Sequence, residues 1–176
     1  MQPIEPPPDA LTDGVVTVRM RRMDDLVHIA AAADDPEAER WLDNSPQDGP
    51  PRTPDQVLEI WRSGTATPLL VVDAASDRPA GLINLQFRPG LDTSVAYRIF
   101  PAWRGRGYAA RALELLTQWA FDDLGLPRLV LEIDEENVAS IRVAERCGYV
   151  RDGVTTGDEP VKAVFVRERE VVESRR

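Results

Sequence analysis

Arg104-Gly105-Arg106-Gly107-Tyr108-Ala109 follows a strand-like run from Thr93 to Phe100 and opens a long helical pattern from Tyr108 to Leu124. Two glycines let the backbone take angles closed to other residues and approach a ligand closely. A helix that begins there turns unsatisfied N–H groups and a partial positive charge toward the loop. Together these make an anion site, most naturally for phosphate. The charges agree. From Thr93 to Leu113 there is no Asp or Glu, yet Arg98, Arg104, Arg106 and Arg111 all fall inside, in a chain whose net charge is −9.

At 176 residues the chain suits one domain with a sizeable core. A hydrophobic fraction of 43% and a charged fraction of 29% are ordinary for a soluble globular protein. The acidic balance argues against nucleic acid as a partner, because phosphate contacts need a basic face. Cys147 is the only cysteine, which excludes an internal disulfide and suits a reducing compartment. No apolar run reaches the ~18–20 residues that cross a bilayer. Glu5 and a proline cluster stand where a signal peptide would be basic and then apolar. The expectation is a cytoplasmic protein with no membrane partner.

Pro3, Pro6, Pro7 and Pro8 mark residues 1–14 as a disordered or extended lead-in. Val15 to Met20 reads as a first strand. Asp24 or Asp25 is placed to cap a helix bearing Leu26, Ile29, Ala30 and Ala33, interrupted by Pro36, with a short helical piece through Trp41 and Leu42. Prolines and Gly49 make 44–52 a loop. Thr53-Pro54-Asp55-Gln56 is a capping-box helix start, and Gly64 a stop. Leu69–Asp73, Ala80–Phe87 and Thr93–Phe100 are strands on short connections, hence antiparallel neighbours. After the long helix, which ends at Gly125, come a strand (Arg128–Asp134), a short helix (Val138–Cys147) and a final hairpin (Tyr149–Val154 with Ala163–Arg169) around Gly157 and Pro160. The order predicts an α/β domain with a mixed, mostly antiparallel sheet flanked by helices over residues 15–170, and a short tail at 171–176.

The loop is not a Walker loop, since no Gly-Lys-Ser/Thr closes it. Gly105-x-Gly107-x-x-Ala110 also matches a dinucleotide fingerprint, with Glu132 and Asp134 near the end of the next strand. Context speaks against that reading: Pro101-Ala102-Trp103-Arg104 separates loop from strand, and the strand ends an antiparallel meander. A tight turn with solvated arginines is the plain alternative.

Arg104 to Ala109 fits Arg/Gln-x-x-Gly-x-Gly/Ala, and Asn137-Val138-Ala139-Ser140-Ile141-Arg142 leads to Gly148-Tyr149. Here the chain resembles the GCN5-related N-acetyltransferases (GNAT), and within them the RimJ/RimL-like subgroup that acetylates ribosomal-protein N-termini. The resemblance implies the GNAT fold and an N-acetyltransferase that moves an acyl group, acetyl first, directly from acyl-CoA to an amine. The acceptor is left open among a protein N-terminus, a polyamine or aminoglycoside, and a small metabolite; net charge favours a cation weakly. It also implies that backbone N–H groups among Gly105, Arg106, Gly107, Tyr108, Ala109 and Ala110 hold the acetyl-CoA pyrophosphate, with charge added by Arg104 and Arg106. The strand end from Tyr97 to Phe100, Ile99 and Phe100 foremost, pairs with pantetheine like an added strand. Asn137 bonds the pantetheine arm, Arg142 reaches the 3′-phosphate or adenine, and Ser140 protonates the departing thiolate. A backbone N–H from a bulge in that strand stabilises the oxyanion. A homodimer is a guess at the level of the family.

Residue-level alternatives stand beside these roles. Asn137 is a helix cap and Ser140 a small packing residue on the plainer reading. Relatives place a Glu base three residues before the strand's Tyr, here Tyr97; this chain has Ser94 there, leaving Glu132, Asp134 and Asp92, or a backbone carbonyl with a water, as substitutes. That departure keeps open a binding module without catalysis. No Cys/His cluster suggests a metal. His28 reads as exposed or packing, Cys147 as a small core residue, and Trp41 and Trp61 as filling the core or shaping the acceptor site.

Overall fold

The computed structural model describes residues 4–41, 50–156 and 161–170. The expected loop at 44–49, the Gly157 and Pro160 turn and the tail at 171–176 lie outside the described residues.

Eight strands form one sheet in the order β1-β2-β3-β4-β5-β6-β8-β7. They are β1 (Leu11–Thr12), β2 (Val16–Arg19), β3 (Leu69–Asp73), β4 (Pro79–Gln86), β5 (Thr93–Ile99), β6 (Arg128–Asp134), β7 (Val150–Val154) and β8 (Lys162–Glu168). The helices are α1 (Leu26–Ala31), α2 (Pro36–Trp41), α3 (Pro54–Ser63), α4 (Tyr108–Asp122) and α5 (Val138–Arg146). Every neighbouring pair is antiparallel except β5 and β6. That parallel pair is joined only at Thr93↔Leu129 and Ser94↔Val130. Beyond Ser94 the two strands have no pairing, and the sheet opens into a wedge.

Period-2 alternation in β3 gives the sheet two apolar faces. Leu69 and Val71 join Ile83, Leu85 and Val95 against Val57 and Trp61 of α3 and Leu113, Leu116 and Ala120 of α4. Leu70 and Val72 face the other way, with Ile29 of α1, Phe100 and Leu82. Each such side chain contributes roughly 1.5–3 kcal/mol when fully buried. Trp61 packs in the core, 6.0 Å from Trp119 between ring centroids, and donates to the Pro68 carbonyl at 3.3 Å.

Helix ends follow local chemistry. Thr53 Oγ1 accepts the Gln56 N–H at 3.4 Å, Gln56 Oε1 accepts the Thr53 N–H at 2.9 Å, and Gly64 closes α3 at φ 68°. Several expectations need correction. The lead-in is ordered at its end: Leu11–Thr12 pair with Val18 and Thr17, because Asp13 Oδ1 accepts the N–H groups of Val15 (2.9 Å) and Val16 (2.8 Å) and turns the chain back. Pro36 starts α2 rather than interrupting a helix, since Asp35 Oδ1 accepts the Ala38 N–H at 3.3 Å and Pro suits the first turn. Asp25 does not cap α1; its carboxylate turns inward to Arg19, at 2.8 and 3.1 Å, and to the Arg22 N–H.

The bulge expected in the strand before the loop is absent. The β4–β5 register runs unbroken from Gly81↔Ile99 to Gln86↔Ser94, and the irregularity lies between Val71 and Val72 in β3. Gly81 is what lets β5 stay close, since an added Cβ would sit 2.4 Å from the Arg98 carbonyl oxygen and 2.9 Å from Ile99 Cδ1. Gly81→Ala is therefore expected to force the strands apart and cost about 1–3 kcal/mol. Urea denaturation checks this.

Candidate active site

The wedge between β5 and β6 is the centre of the site. Phe100 N–H bonds the Ala80 carbonyl at 2.8 Å, so with the register above the even-numbered residues of β5 bond β4. Tyr97 and Ile99 then turn their backbone N–H and C=O groups away from β4, into the wedge. Ile99 confirms the direction, because its carbonyl accepts Arg104 Nε at 3.1 Å.

A cavity of about 440 Å³ occupies this opening. Its walls include Tyr97 and Ile99, the loop at Arg104, Gly105 and Gly107, the first turn of α4 at Tyr108, Ala109 and Ala110, and Asn137, Ser140 and Arg142 of the α5 turn. Gly105 (φ 74°) and Gly107 (φ 77°) are both left-handed, and a Cβ on either would meet nothing within 4 Å. Conformation rather than space selects glycine there. Gly107 caps α4 without a side-chain bond, so the first-turn N–H groups are left facing the cavity.

Two predicted residues stand apart. Phe100 is 3% exposed in the second core cluster, and its backbone is spent on Ala80 and Trp103. Its backbone does not face the wedge, and the open strand edge ends one residue earlier, at Ile99. Arg106 does not line the cavity, and its guanidinium lies over the Trp103 ring, 4.9 Å from the centroid. Arg104 lines it, but its guanidinium is held by Asp35, by Glu37 at 2.8 Å and by the Ile99 carbonyl. It braces the loop against α2 instead of standing free for phosphate. Tyr108 donates its hydroxyl to Asp73, which raises its pKa, and its ring stacks on Trp103 at 5.6 Å.

Asn137 caps α5: its Oδ1 accepts the Ser140 N–H at 3.1 Å. The side-chain amide N–H groups are left for a ligand, so the cap and a ligand role are compatible. The Tyr97 hydroxyl, not singled out from sequence, is buried among the cavity residues and has no hydrogen-bond partner among the described residues. Burial pushes its pKa up to about 12, although the Ser140 hydroxyl stands close enough to act in the other direction. No bond of normal geometry joins the two, and Tyr97 is a protonated, unspent donor at neutral pH. Arg146 was also missed; with Arg142 it adds charge to the α5 wall. Trp41 lies in this cavity, with Arg40 4.4 Å over its ring.

A second cavity, about 710 Å³, opens on the other face of the sheet, against α1, α2 and residues 50–52. Ala38, Tyr97 and Arg98 line both cavities, which therefore meet at β5. None of the carboxylates expected to replace the missing base lines either one. Glu132 pairs with Arg88 at 2.7 Å, Asp92 with Arg128 at 3.1 Å, and Asp134 accepts the Glu136 N–H at 2.9 Å. Ser94 is 5% exposed, beside the same Arg88. Cys147 donates to the Ala110 carbonyl at 3.3 Å, and burial, with Glu114 next, pushes its thiol up to about 11, so it is no nucleophile. His28 is exposed.

Comparisons with known proteins agree with the fold. The family described as Acetyltransferase (GNAT) domain matches residues 16–150. The chain belongs to the GNAT acetyltransferase family. Among curated relatives, "Probable N-acetyltransferase YjcK" of Bacillus subtilis (strain 168) is 28% identical over 98 residues, 54% of each chain, so the match spans about half that relative's length. The solved structure of the ribosomal-protein-S5-alanine acetyltransferase of Vibrio fischeri superposes with a TM-score of 0.72 at 19% identity, over 92% of this chain and 97% of that one. RimL, a ribosomal L7/L12 α-N-protein acetyltransferase solved with coenzyme A, gives 0.74 at 15% identity, over 91% and 98%. At such identities the likeness is one of fold. Among the described residues no helix is long and apolar enough to cross a membrane.

Proposed function

We propose that the chain transfers an acyl group, acetyl first, from acyl-CoA to a primary amine. The observation that carries this reading is the cavity that joins the uncapped N-terminus of α4 to the free backbone edge of β5. The α4 N–H groups suit a pyrophosphate, while the Tyr97 backbone groups and the Ile99 N–H suit the amides of pantetheine, as an added strand would use them. Arg142 and Arg146 supply charge for a further phosphate.

In the reaction the ammonium first gives one proton to a base, the neutral amine nitrogen bonds the thioester carbonyl carbon, the C–S bond breaks, and the second proton lost from nitrogen ends on the thiolate, which leaves as CoA thiol. The residues divide that work. With no bulge in β5, the oxyanion donor is a backbone N–H on the open edge, from Tyr97 or Ile99. Ser140 is the proton donor to the thiolate, with the Tyr97 hydroxyl behind it. Glu39 is the one carboxylate in the second cavity among the described residues, and its position suits deprotonation of the incoming ammonium through water.

The test is CoA thiol release from acetyl-CoA with and without a panel of amines. Acceptor-dependent release is expected, and Ser140→Ala is expected to lower kcat about tenfold to a hundredfold, a moderate general-acid effect. The absence of the family's carboxylate at Ser94 favours a second reading, an acyl-CoA-binding module. Tight CoA binding with no release for any amine would establish that one.

A further inference from the structure

The acceptor-side cavity carries a charge pattern opposite to that of the chain as a whole. Among its described lining residues are three arginines, Arg21, Arg52 and Arg98, and one carboxylate, Glu39. Arg98 is already compensated: its Nε lies 3.3 Å from Asp35 Oδ2, and its Nη2 donates to the Ala32 carbonyl. Arg21 is different. Its Nη1 donates to the Arg52 carbonyl at 2.9 Å, which leaves the Nε–Nη2 edge of the fork. The Nε is buried without a hydrogen-bond partner among the described residues. Burial first, and the charge of Arg52 second, depress the Arg21 pKa, against an opposing pull from Asp25, whose carboxylate is itself bonded to Arg19. A buried guanidinium edge with no anion bonded to it is costly, and the cost is removed when a ligand brings a carboxylate to it in bidentate geometry. The same cavity holds a second group of opposite demand: Asn84 Oδ1 is buried and accepts no hydrogen bond from the described residues. An amine N–H satisfies it. Asn84 pairs with Ala96 in the β4–β5 register, next to the Tyr97 position where the two cavities meet.

We propose that the acceptor is an amine bearing a carboxylate, with the carboxylate seated on Arg21 and the amine directed to Asn84 and the Tyr97 end of the cavity. This rests on the transferase reading and adds the acceptor's chemical class to it. It also reverses the weak preference for cations that net charge suggests, because the potential inside a cleft is set by its own walls. A free amino acid and the acidic first residue of a peptide present the same chemistry. Acylation bonds the amine nitrogen to the acyl carbon, cleaves C–S and removes the ammonium charge, so the product leaves with its carboxylate as the remaining charge.

The test uses the full chain, acetyl-CoA and matched acceptors: free glutamate against its α,γ-diamide, an Asp-initiated tripeptide against its Asn counterpart, and spermidine as the polycation. The carboxylate form of at least one pair is expected to have a kcat/KM about tenfold or more above its amide, the size of a charge-assisted hydrogen bond, chiefly through KM. The pair that responds identifies the source. Arg21→Gln is expected to collapse the acid-over-amide ratio and Arg21→Lys to restore part of it, with CoA affinity by calorimetry reporting that each variant folds. Equal or better turnover of the amides or of spermidine overturns the carboxylate assignment while leaving the transferase intact. CoA binding without release for every acceptor removes both.

Discussion

Gly107→Glu is expected to lower acetyl-CoA affinity at least a hundredfold while leaving the fold nearly as stable as before. The residue sits at φ 77° as the N-cap of α4, and an added Cβ meets nothing within 4 Å. A Cβ there therefore clashes with no part of the protein, and the cavity beyond it has room for more. Its cost is the left-handed backbone alone, about 1–2 kcal/mol, and a carboxylate at a helix N-terminus returns about 0.3–1 kcal/mol of that. The same carboxylate occupies the position at which the first-turn N–H groups converge, so it competes with phosphate as an internal anion and repels it. Gly107→Asn, which tolerates positive φ and brings no charge, is expected to lose much less. Calorimetric titration with CoA together with urea unfolding separates the effects. A Gly107→Glu protein that binds CoA as the parent does would remove α4 from the donor site.

Asp35→Ala is expected to be the most destabilising single change in the site, by about 3–5 kcal/mol, the usual cost of taking one partner from a buried charge cluster. Asp35 is 2% exposed and joins three elements. Its carboxylate pairs with Arg98 of β5 and with Arg104 of the glycine loop, and its Oδ1 holds the Ala38 N–H at the start of α2. Without it, the Arg98 side chain, 10% exposed, has lost its nearest carboxylate. Arg104 keeps Glu37 and the Ile99 carbonyl, so the loop loosens rather than collapses. Asp35→Asn retains a cap for α2 and loses only the charge, so it is expected to cost less than the alanine. Chemical denaturation gives both values, and an alanine variant within 1 kcal/mol of the parent would show that the cluster does not hold the loop to α2.

Much of this was legible where chemistry is local. Thr53, Gln56 and Gly64 announce α3 because capping is written in neighbouring residues, and the glycine–arginine loop announces its own helix start for the same reason. The long-range partners of a side chain are not written that way. Arg104 reads as a phosphate ligand until Asp35, sixty-nine residues away, is found against it. Phe100 reads as the last residue of a usable edge until the register shows its backbone committed to Ala80. The Tyr97 backbone was legible as strand edge, but its hydroxyl gave only a faint signal, a polar aromatic in the period-2 phase of Val95 and Ile99, and its lack of a partner among the described residues is a property of packing. Asp13 likewise hides a turn among prolines that suggested no structure.

The narrow join between β5 and β6 has a thermodynamic consequence. Two residue pairs, Thr93↔Leu129 and Ser94↔Val130, are all the ladder that connects the β1–β5 meander to the β6-β8-β7 arm, the remaining cohesion coming from α4 and its neighbours. A molecule that bonds along the Tyr97–Ile99 edge stands where further rungs of the sheet would be. Its binding free energy then counts toward holding the two arms together, as mass action requires of any ligand that binds only the folded chain. Donor concentration and resistance to unfolding become one linked quantity.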